Sequence, residues 1–359
     1  MPPVVMTADA LAELTAQLVD IPSVTGNEQA IADWIANRLS ARGTGDVLRS
    51  GLSVVWRGPR LGKPLVVLVG HTDTVPPQGN VGARRDGDRL YGIGTTDMKA
   101  GDAVMLALVE SLDPSALRFD LACVFYDAEE GPAANNGLGR VLAEMPWLTE
   151  ASLAIVLEPT DLRIEMGCNG IVNAEVRVPG VAGHAARPWT GDNAVAKGAA
   201  WLAEITQVGW EERQVQGIAY RETLQVTTVK AGVARNVIPA EMVVNLNHRF
   251  TPDRTSEEAI ARLRARVPEG FEFHVVDSAP PGKVCLDHPD VAAFIRRFGL
   301  EVAGKQGWTD VARFTSFGVP AFNYGPGLAE LCHRTDEHLP VDNLAVVFGN
   351  LAEFLTSEG

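Results

Sequence analysis

The chain lacks the features that mark several classes of protein. Its 359 residues contain four cysteines, and none of them forms a Cys-x-x-Cys pair. This argues against a disulfide framework and against a thiolate zinc site, and it fits a reducing compartment. No apolar run is long enough to span a membrane, and the polar pattern that follows Met1-Pro2-Pro3 is not typical of a signal sequence. We therefore expect a cytoplasmic protein.

Basic residues are also fewer than acidic residues. Lys and Arg number 31 against 45 Asp and Glu, which gives a formal net charge of -14. Such a surface repels the phosphates of nucleic acids and of anionic membranes, so neither is expected as a partner. The hydrophobic content of 46% is ordinary for a globular protein, and the chain is long enough for two domains.

What the chain does contain is five short segments rich in histidine and carboxylate side chains. Each follows an apolar run or a Gly-rich turn, where a side chain can project into a cleft. The segments are His71–Pro76, Gly94–Lys99, Asp127–Gly131, Glu158–Thr160 and Cys332–Glu337. Each is a weak signal alone, but their order along the chain predicts a hydrolase with two metal ions.

Apolar runs that alternate with helical patterns predict an α/β catalytic domain. Residues 65–69, 121–125 and 154–157 have the composition of buried strands, and an Ala-rich helix is expected at 100–112. Continuous apolar strands that alternate with helices are typical of a doubly wound sheet covered on both faces. Three of the five segments begin just beyond these strands, at the carboxyl ends where open α/β sheets bind ligands.

The pattern changes near residue 171 to the order β-α-β-β-α-β. The strands are expected at 172–178, 224–229, 242–246 and 271–276, and the helices at 193–205 and 256–267. This order predicts a ferredoxin-like α+β domain, followed by a linker at Pro280–Gly282. We therefore expect a catalytic domain at 1–170 and 283–359, with an inserted lid domain at 171–282.

Two divalent ions a few Å apart require imidazole and carboxylate ligands, one of which bridges them. His71 and His333 can supply one imidazole to each ion, and Asp97 can bridge the two. Glu130 and Glu158 can then complete the two sets. A water shared by two such ions loses a proton near neutral pH and becomes the nucleophile.

The neighbouring carboxylates Glu129 and Glu130 can take separate roles, because successive side chains at a strand end diverge. Glu129 is predicted to be the general base, which takes a proton from the bridging water and passes it to the leaving amine. Asp73 stands two residues after His71 and is placed to bond the other ring nitrogen. Glu337 is interpreted as a loop or supporting residue.

These segments resemble the M20 family of metallopeptidases and deacylases over essentially the whole chain. Within it, they are most similar to succinyl-diaminopimelate desuccinylases of the actinobacterial type. The resemblance implies a homodimer formed through the lid domain and two divalent ions, usually zinc, with cobalt or manganese as alternatives. It also implies that His71, Asp97 and Glu158 hold one ion, and that Asp97, Glu130 and His333 hold the other.

The same resemblance implies contacts with an N-acyl amino-acid substrate. His184 would reach the active site of a neighbouring subunit and hydrogen-bond the developing oxyanion. Arg249 offers a forked donor for a terminal carboxylate. Asn236, Thr309 and Gly325 lie in segments that would line the substrate. His184 as a plain surface residue and Arg249 as half of a structural ion pair are the alternatives.

The implied function is a zinc-dependent amide hydrolase that removes a succinyl group from N-succinyl-LL-2,6-diaminopimelate. Two departures leave the acyl group open. A polar residue is expected after Gly325-Pro326, but the chain continues with Gly327-Leu328-Ala329-Glu330-Leu331, and Arg187 stands where some desuccinylases have Tyr. The alternatives are an N-acetyl-ornithine or N-acetyl-lysine deacetylase, a dipeptidase of the same chemistry, or a catalytically inactive ligand-binding relative.

Overall fold

The computed structural model describes residues 6–357, so the expectation for Met1-Pro2-Pro3 lies outside the described residues. The described chain divides into two compact units. The first consists of the residues up to Met166, of Cys285–Ala303 and of the residues from Arg313 onward. The second consists of Gly167–Val284 and Gly304–Ala312.

The α-helices of residues 6–357 are α1 (Ala8–Val19), α2 (Gln29–Ala41), α3 (Lys99–Ser111), α4 (Gly137–Glu144), α5 (Ala194–Ile205), α6 (Ser256–Arg264), α7 (Pro289–Phe298), α8 (Val311–Ser316) and α9 (Val341–Thr356). The length and hydropathy of these helices do not allow any of them to cross a membrane. The strands of the same residues are β1 (Asp46–Ser50), β2 (Ser53–Arg57), β3 (Leu65–His71), β4 (Arg84–Asp86), β5 (Arg89–Tyr91), β6 (Asp120–Tyr126), β7 (Leu153–Val156), β8 (Ile164–Met166), β9 (Gly170–Pro179), β10 (Gly183–His184), β11 (Gly209–Val215), β12 (Ile218–Ala231), β13 (Val237–Ile238), β14 (Glu241–Phe250), β15 (Glu272–Ala279), β16 (Val302–Gly304), β17 (Ala321–Asn323) and β18 (His338–Pro340).

Eight of the described strands form one mixed sheet in the order β1-β2-β6-β3-β7-β17-β8-β16. Strand β3 pairs in parallel with β6 on one side and with β7 on the other, and β17 pairs in parallel with β7. Every residue of β3, β6 and β7 is buried. Strands covered on both faces carry continuous apolar runs, which is the pattern found in the sequence. The predicted α/β fold is confirmed.

Helix α3 packs closely against this sheet because a glycine lies at the contact. A Cβ atom on Gly101 would lie 2.5 Å from the carbonyl oxygen of Leu157. Only a residue without a side chain permits so close an approach of helix and strand end. The amino-terminal turn of α3 therefore lies beside the chain that leads to Glu158.

The second unit contains a five-stranded antiparallel sheet in the order β11-β12-β14-β9-β15. Without β11 and the two-residue strands β10 and β13, the chain order is β9, α5, β12, β14, α6, β15, which is the predicted ferredoxin-like order. Residues of β9 and β14 alternate between buried and partly exposed, and the buried ones pack with Trp201 of α5 and Leu263 of α6. Strand β11 lies at the edge of the sheet and was not predicted, because its sequence is mostly polar.

Residues 304–312 group with the second unit, whereas the sequence-based boundary placed them in the first. The backbone N–H of Asn169 donates to the carbonyl of Lys305 at 3.2 Å. The backbone N–H of Arg221 donates to Oε1 of Gln306 at 2.9 Å. These bonds join positions far apart in the chain, so local sequence patterns could not reveal them.

We expect Gly101→Ala to destabilise the protein and Gly349→Ala to stabilise it. Both glycines lie inside helices, where alanine is favoured over glycine by about 0.5–1 kcal/mol. At Gly101 the new methyl group meets the backbone of Leu157, and overpacking of this kind costs about 1–3 kcal/mol. A Cβ atom added at Gly349 would meet no neighbouring atom within 4 Å. Urea denaturation followed by circular dichroism measures both midpoints, and a higher midpoint for Gly101→Ala would contradict the packing described.

Candidate metal centre

The carboxyl ends of three adjacent parallel strands carry most of the predicted site. His71 is the last residue of β3, Asp127 follows the end of β6, and Glu158 lies two residues beyond β7. Strands β6 and β7 flank β3, so side chains that leave these ends are neighbours. Asp97 and His333 come from loops instead: Asp97 stands two residues before α3, and His333 precedes β18.

The structure brings the five predicted metal ligands together in two groups of three. One group is His71, Asp97 and Glu158, and the other is Asp97, Glu130 and His333. Within each group the ligand atoms lie within 4.8 Å of one another, and Asp97 belongs to both. Imidazole nitrogens combined with carboxylate oxygens are donors that zinc and other divalent transition ions accept. The residues present therefore fit two such ions with one shared ligand.

Asp97 presents one carboxylate oxygen to each histidine. Its Oδ1 lies 3.1 Å from Nε2 of His71, and its Oδ2 lies 3.5 Å from Nε2 of His333. Nε2 of His71 is also 3.9 Å from Oε1 of Glu158, and Nε2 of His333 is 2.7 Å from Oε1 of Glu130. A carboxylate whose two oxygens serve different imidazoles has the arrangement of a bridging ligand.

The carboxylates of the site raise the pKa values of both histidines. Burial alone would lower the pKa of His71, but hydrogen bonds and charges from Asp73 and Asp97 raise it well above its ordinary value. Hydrogen bonds to Asp97 and then to Glu130 raise the pKa of His333 to about 10. Burial opposes ionisation of Asp97, yet the two histidines hold the pKa of its carboxyl far below the usual range. The site therefore stabilises positive charge at two places.

Asp73 connects His71 to the segment that carries the two glutamates. Nδ1 of His71 lies 3.1 Å from the backbone oxygen of Asp73 and 3.5 Å from its Oδ1. The carboxylate of Asp73 accepts hydrogen bonds from the backbone N–H groups of Glu129 at 2.9 Å and Glu130 at 3.1 Å. One residue thus orients the imidazole and also fixes the chain that follows β6.

Two side chains between α1 and α2, those of Thr25 and Glu28, support this site and were not predicted from the sequence. The hydroxyl of Thr25 donates to Oδ2 of Asp73 at 2.8 Å. Glu28 is buried, and its Oε1 accepts from the backbone N–H of Ala128 at 3.2 Å. Ala128 has a φ of 59°, in the left-handed region that alanine rarely adopts, so this bond supports an unfavourable conformation. A single carboxylate in a loop has no periodic signal, and only its place at the start of α2 could have drawn attention to it.

Glu129 lies next to both groups of ligands. Its carboxylate comes within 4.8 Å of ligand atoms of His71 and Glu130. Its side chain is partly exposed, so it can exchange protons with solvent. A carboxylate that reaches the centre and also contacts water suits a general base. That role for Glu129 stays a prediction.

Two of the predicted substrate-binding residues in the second unit lie near Cys168. Burial lowers the pKa of the Arg249 guanidinium, and Cys168 is the neighbour that raises it. The guanidinium donates to Oδ1 of Asn247 at 3.3 Å, and within residues 6–357 it has no carboxylate partner. Within the described residues, Arg249 therefore does not form the structural ion pair that was its alternative role. The thiol of Cys168 donates to the carbonyl of Thr309 at 3.5 Å.

His184 is the last residue of β10, and Asn236 directly precedes β13, which pairs with β10 in a small sheet. His184 pairs with Val237, and the N–H of Ala185 donates to the carbonyl of Asn236 at 3.0 Å. Nδ1 of His184 accepts from the N–H of Ala186 at 3.0 Å, so the proton of the neutral ring belongs on Nε2. His184 is exposed, and its contact with an oxyanion stays a prediction.

Gly325 lies in the first unit against the chain that carries Glu158. Its N–H donates to the hydroxyl of Thr160 at 3.1 Å, and its carbonyl accepts from the same hydroxyl at 3.2 Å. A Cβ atom here would collide with the carbonyl oxygens of Leu157 and Glu158. The structure gives Gly325 a packing role beside the predicted ligand Glu158, and its contact with substrate stays a prediction.

Comparison with known proteins places the chain in a family. The sequence profile of peptidase family M20/M25/M40 matches residues 67–357. The chain belongs to this family. The prediction of a metal-dependent amidohydrolase is thereby confirmed, together with the resemblance on which it rested.

Relatives of known name match the chain over most of its length. A Corynebacterium glutamicum protein named succinyl-diaminopimelate desuccinylase is 38% identical over 352 residues, which are 96% of this chain and 95% of the relative. A Mycobacterium tuberculosis protein, named provisionally as succinyl-diaminopimelate desuccinylase DapE, is 41% identical over 347 residues, which are 96% of this chain and 97% of the relative.

Solved structures share the fold at lower identity. A tripeptidase from Staphylococcus aureus superposes with a TM-score of 0.80 at 20% identity, covering 98% of both chains. The Bacillus subtilis YXEP protein, described as a dinuclear metal-binding peptidase of the M20 family, superposes with a TM-score of 0.72 at 17% identity, covering 97% of both chains. At these identities the two structures show a common fold only.

Zinc binding at this site should release protons at neutral pH. The pKa of His333 is about 10, so this ring is protonated at pH 7, and the pKa of His71 is also raised, whereas zinc accepts only the neutral ring. Zinc affinity should therefore rise with pH, by up to about tenfold per unit for each proton released.

Calorimetric titration at pH 7 in buffers of different ionisation enthalpy counts the released protons. The variant His333→Ala is the matched control and should release about one proton fewer than the wild type. Zinc binding to the wild type without release of protons would contradict the raised pKa values of His71 and His333.

Proposed function

We propose that this chain is a zinc-dependent hydrolase that removes the succinyl group from N-succinyl-LL-2,6-diaminopimelate, in the biosynthesis of diaminopimelate and lysine. The observation that carries the proposal is the near full-length similarity to the Corynebacterium glutamicum protein named for this activity, at 38% identity over 96% of the chain. The two groups of candidate ligands that share Asp97 support the hydrolytic chemistry.

Two divalent ions would be held by the two groups that share Asp97. When bound, such a pair of ions polarises the amide carbonyl and makes water nucleophilic at neutral pH. Each group combines one imidazole with two carboxylates and contains no thiolate. This donor set suits zinc, and it also suits cobalt or manganese.

Glu129 acts in this proposal as the general base. The backbone N–H groups of Glu129 and Glu130 donate to the carboxylate of Asp73 at 2.9 and 3.1 Å, which fixes the main chain of both residues. Glu130 contacts His333 at 2.7 Å, while the side chain of Glu129 remains partly exposed. Glu129 can therefore take a proton from the attacking water and deliver it to the amine nitrogen as the amide C–N bond breaks.

Arg249 is proposed to bind a carboxylate of the substrate. A half-buried guanidinium without a carboxylate partner in the described chain is a suitable anchor, because its fork can bind both oxygens of a carboxylate. Asn247 accepts from Arg249 and donates to Asn173 at 2.8 Å, which orders this part of strands β14 and β9. Asn236, Thr309 and Gly325 complete the proposed set of contacts.

The second unit is proposed to act as a lid and as the interface of a homodimer. His184 would donate from Nε2 to the developing oxyanion of its own chain or of the partner, a contact often worth about 3–4 kcal/mol of barrier. Trp189 is 79% exposed and Val195 is 39% exposed in this unit. A subunit interface would cover such apolar surface.

The experiment that tests the proposed function is a turnover panel. The zinc-loaded protein is given N-succinyl-LL-2,6-diaminopimelate, N-acetyl-ornithine, N-acetyl-lysine and a dipeptide, with Glu129→Gln as the blank. We expect preference for the succinyl substrate, and a fall in kcat of about 10²- to 10⁴-fold in the blank without loss of zinc.

Other outcomes of the panel separate the alternatives. Preference for an acetyl substrate or a dipeptide would keep the chemistry and refute the proposed substrate. Two bound zinc ions without turnover of any compound would point to a ligand-binding relative that has lost activity.

Replacing Arg249 should weaken substrate binding without affecting zinc. Hydrogen bonds to charged groups contribute about 1.5–3 kcal/mol, so Arg249→Met should lower kcat/KM by about 10- to 150-fold, with Arg249→Lys in between. Steady-state kinetics with the succinyl substrate and its N-acetyl analogue localise the contact. A penalty with the succinyl substrate alone assigns Arg249 to the acyl carboxylate, and unchanged kinetics with both would refute its role.

A further inference from the structure

Glu337 is a buried carboxylate that the proposed reaction does not use. It stands four residues after His333 and its side chain is fully buried. Its Oε1 accepts hydrogen bonds from the backbone N–H groups of Thr96 at 2.8 Å and Asp97 at 3.2 Å. One oxygen thus holds the two consecutive amides that lead into the residue shared by both ligand groups.

Asp97 requires such a support because it does not leave the end of a strand. It lies in a Gly-containing turn before α3, and further bonds join this turn to the chain around Glu337. The hydroxyl of Thr96 donates to the carbonyl of His338 at 2.8 Å. The N–H of Gly92 donates to the carbonyl of Glu337 at 3.2 Å. The segment that carries one histidine ligand therefore also holds the turn that carries the bridging carboxylate.

We infer that Glu337 is a positioning residue for Asp97, which fixes its main chain so that one carboxylate oxygen faces His71 and the other faces His333. The inference rests on the proposed two-ion centre. Because Asp97 is shared, loss of the Glu337 bonds should weaken both ions together, whereas loss of a ligand from one group should weaken one ion. Residues that orient metal ligands typically contribute about 10- to 100-fold in metal affinity.

The test compares three substitutions in the full chain, with Co²⁺ as the probe. Glu337→Leu removes the acceptor at similar size, Glu337→Asp keeps the charge but shortens the reach, and Glu337→Gln keeps an acceptor oxygen at the same place. Calorimetry gives the stepwise affinities, and the visible absorption of bound Co²⁺ reports its coordination. We expect the Leu and Asp variants to weaken both steps by about 10- to 100-fold, and the Gln variant to stay within about threefold of the wild type.

Two controls separate positioning from general instability. Glu130→Gln removes a ligand from one group only and should weaken one binding step. Asp336→Asn changes an exposed ion pair with Arg334 in the same segment and should leave both steps unchanged. Unfolding midpoints of the metal-free variants show whether a loss of affinity simply follows a loss of stability.

If Glu337→Leu does not fold, the comparison of Glu337→Asp with Glu337→Gln decides the question. Wild-type affinity in the folded Leu or Asp variant, loss of one step only, or a Gln variant as weak as these would overturn the inference. A wild-type protein that binds no Co²⁺ would instead overturn the proposed two-ion function.

Discussion

Five carboxylates meet at the strand ends of the first unit with two imidazoles between them, and their mutual repulsion is the constraint on which the rest of the site depends. They belong to Asp73, Asp97, Glu129, Glu130 and Glu158. Like charges at such separations in a partly buried site cannot all persist without positive charge nearby. Protons on the histidines or bound cations can supply it. Raised histidine pKa values and affinity for divalent ions are thus two results of one arrangement.

Buried carboxylates also hold the main chain of the ligand-bearing segments. Asp73, Glu28 and Glu337 each accept hydrogen bonds from backbone amides next to or within these segments. A bond to the amide fixes the course of the chain and leaves the side chain of the same residue available. Asp97 and Glu130 can therefore be held firmly while their own carboxylates face the centre. Main-chain support of this kind therefore contributes to the geometry of the site.

Sequence patterns predict the parts of this molecule that are determined locally. Continuous apolar runs indicated β3, β6 and β7. The segments that follow the carboxyl ends of these strands indicated which side chains would meet. Strand β11 was not predicted because its polar residues show no buried face. Residues 304–312 group with a different unit than expected because their partners are distant, as with Arg221 and Gln306, which are 85 positions apart. Glu28 was not predicted, and Glu337 was interpreted only as a loop or supporting residue, because a lone carboxylate acquires a role only through the amides that it meets after folding.

The chain enters the second unit twice, through residues 167–284 and again through 304–312. Bonds such as that from the thiol of Cys168 to the carbonyl of Thr309 join the two stretches. Suppose that an exchange of gene segments replaced residues 167–284 with those of a relative. The new residues would then have to pack against the original residues 304–312, which do not match them. The second unit therefore depends on two separate stretches of sequence whose contacts with each other must remain compatible.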